Sequence, residues 1–91
     1  MLGAVRKQPG DRLDYDIDFT KWMVDGDLLS LATVEVDDPT LIAEAPQVIP
    51  PLVKVWLSGG EAGKAYKVTV IATTIEGRVK EVDFQMRVVD C

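Results

Sequence analysis

The sequence predicts an all-β domain, specifically an immunoglobulin-like antiparallel β-sandwich of about seven strands. Two observations lead there. Apolar and polar residues alternate in several short runs, and clusters of Gly, Pro and Asp break those runs every 8–12 residues or so. In addition, no amphipathic run reaches ten residues of helical period.

Leu13, Tyr15, Ile17 and Phe19 alternate with Asp14, Asp16 and Asp18, the period-two pattern of a half-buried strand. Residues 20–24 are too few for a stable helix and predict a single helical turn, capped by Thr20 or Asp18. Asp25-Gly26-Asp27 then turns the chain. Residues 28–36 form the next predicted strand, with Ala32, Val34 and Val36 inward and Thr33 and Glu35 outward. Pro39, Pro46, Pro50 and Pro51 limit residues 40–51 to short edge strands, around Leu41 to Ala43 or Gln47 to Ile49, because proline cannot donate to a ladder.

In residues 52–58, Val53, Val55 and Leu57 share one face while Lys54 and Trp56 share the other. A glycine-rich corner, residues 58–64, leads to a strand over 66–74. Glu76-Gly77 closes a hairpin, with Gly77 free to adopt positive φ. The last strand covers about 79–89, with Val82, Phe84, Met86 and Val88 inward.

At 91 residues the chain holds one small domain, placed at 12–91, after a flexible leader at 1–11 rich in Gly, Pro and polar groups. The leader is expected to be dispensable for folding and to matter for assembly. Net charge is −5, and Lys and Arg are scattered rather than gathered, which excludes a nucleic-acid surface. The absence of histidine removes the common neutral-pH base and the usual zinc ligand, so neither catalysis nor a cofactor or metal is expected. Cys91 is the lone cysteine and cannot form an internal disulfide. No apolar run is long enough to span a bilayer, and no secretion signal opens the chain, so synthesis in a cytoplasm is expected.

Gly63-x-x-Tyr66-x-Val68-x-Val70 is the strongest local signal. In immunoglobulin-like domains a tyrosine near the start of strand F bonds back to the backbone of the preceding corner. Tyr66 takes that role here, with Gly63 allowing the tight turn. Ser58 to Ala65 only brushes the phosphate-loop pattern, because Ser58 replaces its first glycine, Ala65 its hydroxyl residue, and a strand follows. Asp14, Asp16 and Asp18 lie along one strand face, about 6.5–7 Å apart, too spread to enclose a calcium ion. Trp56 with Lys54, and Trp22 in the short turn, are either core or the anchors of a protein contact surface.

Two stretches carry a resemblance. Leu13-Asp14-Tyr15-Asp16-Ile17-Asp18-Phe19, then Trp22 and Gly26-Asp27, form the first; Val55-Trp56-Leu57-Ser58-Gly59-Gly60-Glu61-Ala62-Gly63-Lys64-Ala65-Tyr66 is the second. Together they resemble the fibre–tail adaptor family of tailed bacteriophages and prophages, over most of residues 13–89. The resemblance implies a virion protein that joins tail or connector proteins to fibres, in several copies and with a homo-oligomer in the particle as one arrangement. It implies no catalytic residues. The competing reading of the same pattern is an immunoglobulin-like binding module of a cell-surface or carbohydrate-binding protein.

Overall fold

The computed structural model describes residues 4–89, and these form eight strands: β1 (Ala4–Lys7), β2 (Leu13–Asp18), β3 (Leu29–Val36), β4 (Leu41–Ala43), β5 (Gln47–Ile49), β6 (Leu52–Gly59), β7 (Ala65–Thr74) and β8 (Val79–Val88). One sheet runs β1-β8-β7-β3; the other runs β2-β6-β4, with β5 also pairing β6. The orders β8-β7-β3 and β2-β6-β4 are those of strands G-F-C and B-E-D in an immunoglobulin-type sandwich. Cys91 lies outside the described residues.

Alternation puts the apolar half of each long strand between the sheets. Val53, Val55 and Leu57 of β6, Tyr66, Val68, Val70 and Ala72 of β7, and Met86 and Val88 of β8 are all 0% exposed. Ile17, Phe19 and Leu41 close the core at 2%. The hairpin joining β7 to β8 keeps Tyr66 opposite Met86, Val68 opposite Phe84 and Val70 opposite Val82, so both strands bury the same rows. The proline-limited segment does form two three-residue strands, both on β6. The 20–24 segment is a single turn: the Trp22 and Met23 N–H groups both donate to the Phe19 carbonyl at 3.0 Å. Asp18 accepts from the Thr20 N–H at 2.8 Å.

The eight strands among the described residues agree with the expected count of about seven. Two expectations need correction. The sandwich is not wholly antiparallel, because β1 pairs with β8 in parallel. And residues 4–7, expected within a flexible leader, are that edge strand, with Lys7 only 2% exposed. Alternation sends Val5 and Lys7 inward opposite Met86 and Val88. Lys7 tolerates burial because its ammonium donates to two backbone carbonyls, Gln8 at 2.6 Å and Gly59 on the opposite sheet. Burial pushes its pKa down, and the charge of Asp11 opposes that shift. A buried lysine breaks the apolar-in rule, which is why the strand is hidden from a pattern reading.

Candidate protein-contact surfaces

The glycine-rich corner is held by Tyr66. Its ring is fully buried, and its hydroxyl accepts from the Glu61 N–H at 2.9 Å and pairs with the Thr40 hydroxyl at 2.6 Å. Gly63 has φ +87°, and its N–H donates to the Val88 carbonyl at 2.8 Å, fastening the corner to the end of β8. Gly77, at φ +88°, donates to the Thr74 carbonyl at 3.0 Å in the β7–β8 turn. Tyr66→Phe leaves the Glu61 N–H without its partner and the Thr40 hydroxyl with Asp38 alone. It is expected to cost about 1–3 kcal/mol, read as a lower urea midpoint with unchanged slope.

Beside this corner Asp38 accepts from the Lys64 ammonium and from the Thr40 N–H and hydroxyl at 2.9 and 2.8 Å. The Lys64 contact first, then those from Thr40, hold the Asp38 pKa at about 2, below its ordinary 3.8. A carboxyl that is more acidic in the folded than in the unfolded chain stabilises fully above the unfolded value, and the contribution disappears as pH falls toward the folded one. Asp38→Asn is therefore expected to lower Tm at neutral pH and to converge with the parent as pH drops from 3.8 to about 2, followed by thermal melts across that window.

At the opposite end Asp27 is a buried carboxylate, its side chain 0% exposed. It accepts from the Leu28 N–H at 2.9 Å, the Glu76 N–H at 3.3 Å and Arg78 at 2.9 Å. Burial alone would raise its pKa; the bonds from Thr74, Arg78 and the two backbone groups outweigh that and hold it below the ordinary value. In the sequence Asp27 reads only as a turn residue. Its role depends on Arg78, 51 residues away, and local pattern carries no sign of it.

Trp56 stands on the outer face of β6, half-buried, opposite Asp14 of β2. The Arg12 guanidinium lies over its ring, 4.2 Å from the centroid, and is gripped through two bonds by Glu44 at 2.6 and 2.9 Å. Lys54, on the same face, reaches Asp14 at 3.2 Å and Asp16 at 3.9 Å. The cation between those two aspartates is thus a lysine ammonium, and among the described residues no group of three His, Cys, Asp or Glu is placed to hold a metal ion. Trp22 is half-buried at another place, packed edge-on to Phe19 with ring centroids 6.3 Å apart. Trp56 and Lys54 therefore share one outer face, whereas Trp22 lies elsewhere and packs against the rim of the core.

The described residues form a sandwich whose corners are tied by side-chain-to-backbone bonds, with Trp56 set on an outer sheet face. Residues 7–87 match the family model described as podophage GP4 fiber-tail adaptor protein gp77, and the chain belongs to that family. A search of curated proteins returned no match. The protein is accordingly a structural adaptor of the phage particle.

Proposed function

We propose that this chain links tail or connector proteins to fibres in the virion through protein–protein contacts alone, without catalysis, after synthesis in the cytoplasm of the bacterial host. The family match over residues 7–87 carries this reading. The outer face of β6 supplies the first contact surface, with Trp56 as its anchor and Arg12, Lys54 and Glu44 as its polar surround. Tryptophan and arginine at the centre of a patch, ringed by groups that exclude water, are the side chains that dominate protein interfaces. Trp56 is carried on a strand of the sheet, and Glu44 already holds Arg12 over it, which reduces the ordering cost of binding.

Trp56→Thr keeps a residue suited to a strand surface and removes the anchor. The variant is expected to melt cooperatively near the parent and to enter particles about tenfold less when supplied in trans to particles lacking the parent chain. Particle incorporation equal to the parent would move the contact surface away from β6. Failure of the parent chain itself to enter particles would overturn the adaptor reading.

A further inference from the structure

Where β2 runs into the single turn at residues 19–24, the sandwich opens into a cavity of about 200 Å³. Its floor is apolar: Ile17, Phe19 and Val82, all buried, with the half-buried Trp22 beside them. An apolar cavity of about 150 Å³ accepts benzene, so this one has room for a single phenyl or branched aliphatic side chain. Its mouth is charged. Lys21 and Lys80 both border it.

Those two lysines, like Arg6 and Arg87 elsewhere on the molecule, lack among the described residues the carboxylate partner that other basic groups on this acidic chain have. Arg12, Lys54, Lys64, Lys67 and Arg78 are each held by a carboxylate. Among the described residues Lys21 and Lys80 form no such pair within 4.0 Å. Asp18 also borders the cavity; bonds from the Thr20 hydroxyl and N–H, and in smaller part the charge of Lys21, hold its pKa below the ordinary value and keep it ionised, so it offsets part of the lysine charge. The mouth therefore presents two lysines against one carboxylate, an excess of positive charge above an apolar floor.

We propose that this cavity receives one bulky apolar side chain of a partner protein, carried on a segment whose neighbouring carboxylates pair with Lys21 and Lys80. Apolar anchors seated in pockets with charged surrounds give interfaces both affinity and register. The inference rests on the adaptor reading for the partner being another virion protein, and it assigns that partner an acidic segment with an apolar anchor. It places this contact on a surface separate from Trp56.

The test is a titration of the intact, isotope-labelled chain at low salt, followed by NMR, with 4-phenylbutyrate and with 4-phenylbutylamine. At about 0.01 M salt the screening length is ~30 Å, so the mouth charges act at full strength. The acid is expected to shift the Trp22 indole and Val82 amide signals and to bind about fivefold more tightly than the amine. A Lys21→Glu/Lys80→Glu double variant is expected to reverse that order with its melting transition retained. Equal binding of acid and amine to the parent chain, or signals of Trp22 and Val82 that stay fixed with both, would overturn the proposal. The readout is independent of particle assembly, so its failure is distinguishable from failure of the adaptor reading.

Discussion

Gly60→Ala is expected to cost about 3–5 kcal/mol and to remove most of the stability of a domain this small. Two separate penalties meet at this position. Gly60 has φ +91°, a conformation that an L side chain adopts only with strain. A methyl group there would also lie 2.7 Å from Cγ2 of Val88 and 3.5 Å from Cε1 of Tyr66. Neither neighbour can retreat, because both are 0% exposed in the packed core. Gly63→Ala provides the contrast. It carries a similar φ of +87°, but an added methyl group meets nothing within 4 Å. It is expected to cost about 1–2 kcal/mol, the conformational share alone. Chemical unfolding of both variants measures the difference, and equal losses would show that the clash with Val88 adds little to the backbone strain.

Removal of residues 1–7 is expected to cost about 2–5 kcal/mol, from lost ladder bonds and the re-exposed rim of the core. The deletion strips β1 from β8 and takes away the Lys7 ammonium that reaches across to Gly59 of β6. It also removes the Lys7 carbonyl, which accepts from the Val89 N–H at 2.8 Å. The measurement is the urea midpoint of the truncated chain, with amide exchange at Gln85 to Val88 as a local probe. Exchange there is expected to accelerate before the rest of the fold responds. A truncated chain as stable as the parent would restore these residues to the role of a dispensable leader.

How far the sequence discloses this structure depends on whether a residue's partner is near in the chain. The β7–β8 hairpin is legible because Glu76-Gly77 fixes the register and the alternation of Tyr66 to Ala72 and Val82 to Val88 selects the buried face. The outward position of Trp56 follows from the same alternation, since Val55 and Leu57 on either side are fully buried. Long-range polar contacts are hidden. Arg12 and Glu44 are 32 residues apart, and nothing local marks them as the clasp over Trp56. Asp27 looks like a turn residue because its burial depends on Arg78 and on the Glu76 N–H. Strand β1 is masked by Lys7, whose charge suggests an exposed position until its two carbonyl partners are known.

The parallel pairing of β1 with β8 also decides how the molecule answers to pulling. The first and last strands run side by side in the same direction, through pairs from Ala4 with Gln85 to Lys7 with Val88. Tension applied between the two chain ends drags these strands past one another lengthwise. All four pairs then resist together, where an antiparallel arrangement at the ends would peel apart one pair at a time. Such a joint is expected to yield abruptly instead of stretching gradually, which single-molecule pulling on the two ends would read as one sharp force peak.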